Sequence, residues 1–519
     1  MRVDLKIDTN HLIDHLHTLA NSSAKVCADS RQLESGDIFF AYPVGHGNAL
    51  RDGRQFIDAA LKGGAAAVVF DPVGMDSQGQ QYLDHPLCFA VENLAAKVGE
   101  LCAQWYGYPS KELKIIGVTG TNGKTSITQW LAQALDTSNH RTAVLGTLGS
   151  GFPGALVQTG YTTPDAPKLQ TQLAALRSVG AKKVAMEVSS HALHQERIAG
   201  TEIHCAVFTN LTQDHLDYHG SMADYAEAKA KLFQQSGLEH AVINLDDAFG
   251  RELAMSLLAK QGLKVWAYSL SQSAFQGFEK FGDRLSRTYA KDILLSGAGY
   301  NASFICDGVE SAQLHIPLLG EFNVSNALAV WTVLLSQGMD FKLATQKISQ
   351  LNPVLGRMEL IPLGKSQKTE GLLAVVDYAH TPDALEKTLQ ALRPVAEQRG
   401  GKIWCVFGCG GDRDSGKRSL MGAVAERNAE HILITSDNPR SEDPQAIMQM
   451  VRSGIRKDAQ NIQVIADRAA AIMAAIRHAD ARDIVLVAGK GHETTQEING
   501  KKFDFSDQEH IRLAAGGGV

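Results

Sequence analysis

The stretch LKIIGVTGTNGKTSITQWLAQAL, residues 113–135, sets the frame for the whole chain. LKIIGVT is a short apolar run rich in β-branched residues, the composition of a buried strand. SITQWLAQAL carries its apolar residues at helical spacing. Between them, the small residues from Gly117 to Thr125 let backbone N–H groups wrap phosphates at a helix N-terminus, where the helix dipole also favours anions. Lys124 is then expected to reach the β- and γ-phosphates, and Thr125 to ligate Mg²⁺. One position departs from the standard P-loop, because Val118 stands where its first glycine would be. The expectation is an ATP or GTP site on Gly120, Thr121, Asn122, Gly123, Lys124, Thr125 and Ser126.

Working outward, TAVLGT, KKVAMEVS, HCAVFTNL, HAVINLD and KVWAYSL are further short apolar runs, with amphipathic segments such as APKLQTQLAALRSVG between some of them. Such alternation implies a mostly parallel sheet covered on both faces. DILLS, ASFIC and SAQLHIPLLG follow without helical spacers, which implies an antiparallel appendage, and NVSNALAVWTVLLSQG then reads as a helix closing at Gly338. From about Gly356 the alternation resumes with LLAVVDYA, KIWCVFGC, HILITSD, IQVIAD and DIVLVAG, the pattern of a second doubly wound unit. Residues 1 to about 110 hold shorter runs (DIFFAY, AAAVVF, CFAVE) and end in the Pro/Gly/aromatic punctuation around Trp105-Tyr-Gly-Tyr-Pro. The chain therefore reads as α/β in three domains, 1–110, 111–355 and 356–519: a smaller α/β domain, a central P-loop parallel-sheet domain and a Rossmann-like C-terminal domain.

Composition narrows the class. The 519 residues are 44% hydrophobic and 20% charged, the balance of a globular chain able to bury several cores. Fifty basic against fifty-six acidic residues give a net charge of −6, which disfavours nucleic-acid binding. The seven cysteines are scattered without zinc spacing, so reduced, mostly buried thiols are expected. No run approaches the ~20 apolar residues that span a bilayer, and no signal-peptide pattern opens the sequence. A cytoplasmic, soluble protein with no membrane insertion is expected.

Two clusters follow strands in the central section. Glu187 and His191 in MEVSSH lie just past KKVAMEV, where a carboxylate near a P-loop can hold Mg²⁺ or its water shell. Glu187 reads equally well as a solvated strand-end carboxylate. Asp214 and His215 fall in NLTQDHLDYHG after the next strand, a metal or phosphate constellation by type. In the C-terminal section, Asp377, Gly408 to Asp414, Asp437 to Arg440 and Gly489 to Glu493 all directly follow strands, the positions where doubly wound sheets bind ligands.

Taken in order, GTNGKT, TTPD, MEVSSH, TNLTQDHLDYHG, GRMEL, DYAHTPDAL, GCGGDRDSGKR, SDNPR and AGKGHE resemble the peptidoglycan Mur ligases over nearly the whole chain. The resemblance implies a UDP-substrate-binding domain, a central ATP-binding domain and a C-terminal amino-acid-binding domain. It implies that Ser30, His46, Gly47 and Asn48 hold the uridine diphosphate. Thr162, Thr163, Ser189, Gln195 and Arg197 would contact the sugar-peptide end, and Asn323, Arg357 and Asp377 the adenosine end of ATP. Tyr378 and His380 neighbour that end without an assigned role. Lys229, on residues alone one lysine of a charged helix face beside Lys231, stands where the family carries an N-carboxylated lysine. With Thr125, Glu187 and His215 it would hold Mg²⁺, two ions in all, and Lys124, Glu187, His215 and Lys229 form the implied catalytic set.

Arg413, Asp437, Asn438, Pro439, Arg440, Gly489 and Glu493 match the family's amino-acid contacts. SDNPR alone is a Pro turn after a strand. Within the resemblance it implies meso-diaminopimelate, whose distal carboxylate calls for a guanidinium; lysine-adding members do not keep that arginine. The implied reaction is ATP-dependent ligation of meso-diaminopimelate to UDP-MurNAc-L-Ala-D-Glu through an acyl phosphate, by a monomer whose partners are small molecules. A lysine-adding ligase and, more distantly, a folylpolyglutamate-type ligase are the alternatives. A P-loop switch or kinase would explain GTNGKT but not the later strand-end clusters, and a non-catalytic nucleotide-binding scaffold is the last rival.

Overall fold

Strand Lys114–Thr119 buries every residue after Lys114, and it takes an inner place in a parallel sheet. The computed structural model describes residues 9–45, 51–75, 77–260, 262–297, 299–363 and 371–516. The chain divides into two compact units: residues 1–268, 274–287 and 332–336 form one, and 269–273, 288–331 and 337–519 the other.

The first unit begins with a small parallel sheet ordered Val26–Cys27, Ile38–Ala41, Ala67–Phe70, Cys88–Ala90. Helices Thr9–Leu19 and Leu94–Trp105 cover one face, burying Leu12, Leu16, Leu94, Leu101 and Trp105 against Val26, Phe40 and Val69. The larger sheet runs Arg141–Gly146, Ala181–Glu187, Lys114–Thr119, Cys205–Phe208, His240–Asn244, Lys264–Ser269, all parallel. After Lys114–Thr119 the chain crosses to Arg141–Gly146, returns with Ala181–Glu187 between the two, and only then places Cys205–Phe208 and the later strands on the other side. That reversal is a topological switch point, and the crevice beyond the strand C-termini is where such sheets bind ligands. The phosphate loop, Glu187 and the Asn210–His215 segment all lie at these ends.

In the second unit, Leu285–Ser296 pairs antiparallel with Gly299–Cys306 from Thr288 onward, and Gly299–Cys306 with Val309–Glu310 and Leu314–Ile316. The antiparallel appendage is thus present. A six-stranded sheet follows, ordered Glu359–Ile361, Leu373–Asp377, Ile484–Ala488, Ile403–Phe407, His431–Ile434, Ile462–Val464. Five strands are parallel, as the alternation required; Glu359–Ile361 is an antiparallel edge that the reading did not separate. Two cores lie against this sheet. One includes Leu385, Leu389, Met421 and Ile447, and the other Ile472, Ala475, Ile476 and Ile511. A hairpin, Thr495–Ile498 with Lys501–Asp504, was also not anticipated. None of the seven cysteines forms a disulfide. Among the described residues no helix is long and apolar enough to cross a membrane.

Candidate functional site

The phosphate loop is held from the neighbouring strand end. Asn210 accepts the Asn122 N–H on its side chain (2.9 Å) and the Thr121 N–H on its carbonyl (2.9 Å). Thr209 donates its hydroxyl to the Asn122 carbonyl at 2.6 Å. Gly120 has φ +153°, and a Cβ there would lie 1.8 Å from Thr209 Oγ1, so only glycine fits under this brace. Gly123, with φ +88°, caps helix Lys124–Leu135. Lys124 Nζ curls over the loop to the carbonyls of Gly120 (2.8 Å) and Thr121 (3.0 Å), which places an ammonium at the loop beside the start of its helix.

Glu187 ends its strand almost fully buried, which removes the reading of a solvated carboxylate. It accepts from Thr125 Oγ1 (3.0 Å), the Thr147 N–H (2.8 Å) and the Thr147 hydroxyl (3.0 Å). These bonds compensate the desolvation of its charge. A Cβ on Gly146 would stand 2.2 Å from Glu187 Oε1. Gly146→Ala is therefore expected to destabilise the fold by about 1–3 kcal/mol, as overpacking does, and to weaken ATP binding by pushing Glu187 off Thr125. Thermal unfolding and an ATP titration check it; an unchanged pair of values would mean that Glu187 does not position the loop.

The same network extends to the residues implied for the sugar-peptide. The Thr163 hydroxyl donates to the Glu187 carbonyl (2.9 Å) and accepts the Ser189 N–H (3.0 Å), while Thr162 and Thr147 share a hydroxyl bond of 3.0 Å. Arg197 donates Nη1 to the Thr163 carbonyl (3.1 Å), and Nε and Nη2 to Gln195 Oε1 (2.9 and 2.6 Å). Five of the nine residues assigned to the UDP substrate thus converge. Ser30 lies half-buried in the turn after Val26–Cys27, and among the described residues no hydrogen bond ties it to this network. His46, Gly47 and Asn48 lie outside the described residues.

Beside the loop, Lys229 is 1% exposed on helix Met222–Ala230, its Nζ 4.3 Å from the Tyr225 ring centre. Among the described residues it pairs with no carboxylate. Burial and the nearby Lys124 charge hold its amine well below the usual lysine range, with Asp214 pulling weakly the other way. Tyr225 in turn reaches Thr121 with its hydroxyl at 3.3 Å. His215 takes the left-handed conformation, φ +53°, with its ring 4.7 Å from that of His191 and its Nε2 3.3 Å from Asp214. Burial and the charges of His215 and His219 push His191 down to about 4, so it is neutral at ordinary pH. Tyr218 accepts from Gln195 Nε2 (2.9 Å), tying this cluster to the Arg197 network. Among the described residues, no three His, Cys, Asp or Glu side chains converge to hold a metal ion. Thr125 and Glu187 do supply adjacent hard oxygens of the kind Mg²⁺ takes together with phosphates and water.

In the second unit Asp377 is buried at its strand end. It accepts the N–H groups of Met358 (2.7 Å) and Ala379 (2.9 Å) and the Thr388 hydroxyl (3.2 Å). Burial raises its pKa above the ordinary carboxylate value, opposed by Arg357 and these bonds. Asp377 thereby fixes Met358, φ +46°, and with it the Arg357 guanidinium over the Tyr378 ring at 4.4 Å. His380 stacks edge-on against the same ring at 4.6 Å. Asn323 donates Nδ2 to the Leu319 carbonyl (2.7 Å) and accepts from Asn326 Nδ2 on its Oδ1 (3.1 Å).

The turn Asp437–Arg440 faces Gly489–Glu493. Asn438 donates to Glu493 (2.8 Å), and the wholly buried Lys490 bridges Asn438 Oδ1 (3.1 Å), Glu493 Oε2 (3.0 Å) and the Thr495 carbonyl (2.7 Å). Gly489 has φ +114°, and a Cβ there would meet Asp437 Oδ2 at 2.5 Å. Pro439 is buried between Asn438 and Arg440, and Arg413 is exposed on the loop after Ile403–Phe407. Arg440 donates Nη1 to the Gly411 carbonyl at 2.7 Å. The turn offers a guanidinium, a carboxylate and an amide, and Glu493 of the facing segment a second carboxylate, a set suited to a zwitterionic ligand end. Sequence reasoning gave no role to Thr147, Asn210, Tyr218 or Lys490. Thr147 and Asn210 stand at strand ends and Lys490 lies inside AGKGHE, so position marked them, but their partners are distant in sequence.

Residues 118–334 match the Mur ligase middle domain, and residues 356–491 the Mur ligase glutamate ligase domain. The UDP-N-acetylmuramoyl-L-alanyl-D-glutamate--2,6-diaminopimelate ligase of Ralstonia nicotianae is 49% identical over 506 residues, covering 97% of this chain and 95% of that one. The enzyme of the same name from Janthinobacterium sp. (strain Marseille) is 44% identical over 497 residues, covering 95% and 94%. A solved structure of a protein of that name is 35% identical, with a TM-score of 0.65 over 97% of this chain and 98% of that chain. The two domain matches fall in the order in which the phosphate loop and the Asp437–Arg440 turn occur, and on that ground and on near full-length identity the chain belongs to the Mur ligase family.

Proposed function

We propose that this Mur ligase joins meso-diaminopimelate to UDP-MurNAc-L-Ala-D-Glu, converting ATP to ADP and phosphate. The observation that carries the choice of amino acid is the turn at 437–440. It presents the Arg440 guanidinium together with Asp437, a buried carboxylate with no side-chain hydrogen bond or ion pair of its own among the described residues. A ligand end bearing both a carboxylate and an ammonium matches that pair; the simple ammonium of lysine matches half of it.

A free carboxylate is a poor acyl donor because its charge repels an amine. Transfer of the ATP γ-phosphoryl group to the D-glutamate carboxylate gives an acyl phosphate. The amine of the incoming amino acid then attacks the acyl carbon, and phosphate leaves. In this reading Lys124 and the N–H groups at the start of helix Lys124–Leu135, rather than those of Thr121 and Asn122 that Asn210 takes, hold the phosphates and neutralise charge in phosphoryl transfer. Arg197, Gln195, Thr162, Thr163 and Ser189 orient the sugar-peptide end, Ser30 with His46, Gly47 and Asn48 the uridine diphosphate, and Asn323, Arg357 and Asp377 the adenosine. Mg²⁺ bound at Thr125 and Glu187 would supply electrophilic neutralisation of phosphate charge. An amine at Lys229 offers no oxygen ligand, whereas an N-carboxylated Lys229 would, alongside His215, for a second ion. In the division into 1–110, 111–355 and 356–519, the first part takes the uridine diphosphate, the second the ATP phosphates and the sugar-peptide end, and the third the amino acid with part of the adenosine site, in a monomer acting in the cytoplasm.

The test is phosphate release with ATP, Mg²⁺ and UDP-MurNAc-L-Ala-D-Glu, comparing meso-diaminopimelate with L-lysine. Release and tripeptide formation with meso-diaminopimelate are expected. Turnover with lysine alone would replace this reading by the lysine-adding one, and silence with both would leave a nucleotide-binding scaffold.

A further inference from the structure

Arg440 already has a carboxylate beside it. Glu497 lies on the inner strand of the hairpin Thr495–Ile498/Lys501–Asp504, which turns at Asn499-Gly500 with both residues at positive φ, the conformation of a tight two-residue hairpin turn. This hairpin pins the 437–440 turn by its backbone. The Glu497 N–H donates to Asn438 Oδ1 (3.0 Å), the Arg440 N–H to the Glu497 carbonyl (3.1 Å), and the Asn499 N–H to the Arg440 carbonyl (2.6 Å). Arg440 is held in the left-handed region, φ +51°, by these bonds. Its guanidinium position is therefore set by the backbone and by Nη1 on Gly411. The remaining contact, Nε to Glu497 Oε2, is loose at 3.6 Å.

We propose that Glu497 is a specificity-setting residue: an internal carboxylate on the Arg440 guanidinium edge that the distal carboxylate of the incoming amino acid must take. This rests on the amino-acid pocket described under Proposed function. Comparison with other pairs in the same unit decides what is exchangeable. Arg468 and Asp507 are wholly buried and doubly bonded at 2.7 Å, so no ligand displaces either. Arg440 and Glu497 are 25% and 33% exposed. Solvent screens such a pair, and its attraction is small enough for a bidentate ligand carboxylate to replace. A diaminopimelate-like ligand displaces Glu497, whereas lysine leaves the pair intact. Glu497 thus raises the KM for the first and softens rejection of the second.

Glu497→Gln keeps the backbone bonds and removes the charge. Expected are a fall of about three- to fivefold in KM for meso-diaminopimelate, the scale of an exposed ion pair, with kcat and the KM for ATP unchanged. The preference for meso-diaminopimelate over lysine rises, and the difference from wild type shrinks at high salt. A merely structural Glu497 would raise that KM or leave it unmoved, and either result overturns the proposal while wild-type turnover of meso-diaminopimelate keeps the functional reading. If the wild-type enzyme uses lysine and not meso-diaminopimelate, both fall.

Discussion

Lys229→Met is expected to lower kcat by about 10²–10³ while ATP still binds, the loss of several kcal/mol of charge stabilisation. Lys229 is 1% exposed, with its Nζ over the Tyr225 ring and, among the described residues, no carboxylate paired with it. A protonated ammonium left there would carry a large desolvation cost. The neutral amine avoids that cost and is the form that would add CO₂ with loss of a proton, and the proposed carbamate would be an anionic oxygen ligand. The argument gives a readout independent of turnover: wild-type protein kept in bicarbonate should carry one CO₂ adduct, trapped and located at Lys229 by mass spectrometry, and Lys229→Met should carry none. Stripping CO₂ should slow the wild type reversibly. Lys231, half-buried at the end of the same helix, is the control; Lys231→Met should keep both adduct and rate. Full activity in Lys229→Met would remove the lysine from the site.

The fold was legible because most of its strands are buried on both faces and so appear as apolar runs; four of the five parallel strands of the second unit and the six of the larger parallel sheet fall on such runs, while the edge strand Ile462–Val464 is mostly exposed. What escaped was short or exposed. Lys501–Asp504 is exposed along its length, so no apolar alternation marked it. Asn499-Gly500 was a turn signal, but without an apolar face beside it nothing distinguished a hairpin from a loop. The same distinction runs through the site. The loop Gly120–Ser126 declares itself locally, since phosphate binding needs small residues, a lysine and a helix start in succession. Its brace does not: Asn210 and Thr209 act on Asn122 across almost ninety residues. Gly146 closes its strand like any other small residue in the sequence, and only the fold sets Glu187 against it. Nor does a sequence disclose that Arg440 adopts positive φ, because the hairpin that imposes it lies beyond residue 494.

Arg440→Lys is expected to reduce kcat/KM for meso-diaminopimelate about 10- to 150-fold, nearly all of it in KM, since a charge-assisted hydrogen bond to a carboxylate contributes about 1.5–3 kcal/mol. The substitution keeps a positive charge but loses the planar fork, and an ammonium on a flexible stem cannot hold Gly411 and a ligand carboxylate in one plane. Lysine turnover should change little, because no distal carboxylate is there to lose. Discrimination should therefore collapse from the diaminopimelate side alone. The rest of the pocket gives reason to expect a clean effect: Asn438 and Glu493 are fixed by the buried Lys490, and backbone bonds to Glu497 and Asn499 hold residue 440 whatever its side chain. A loss shared equally by both amino acids would instead mark Arg440 as a structural tie between Gly411 and the hairpin. The distal carboxylate would then have to be read elsewhere, and the exposed guanidinium of Arg413 would be the next to replace.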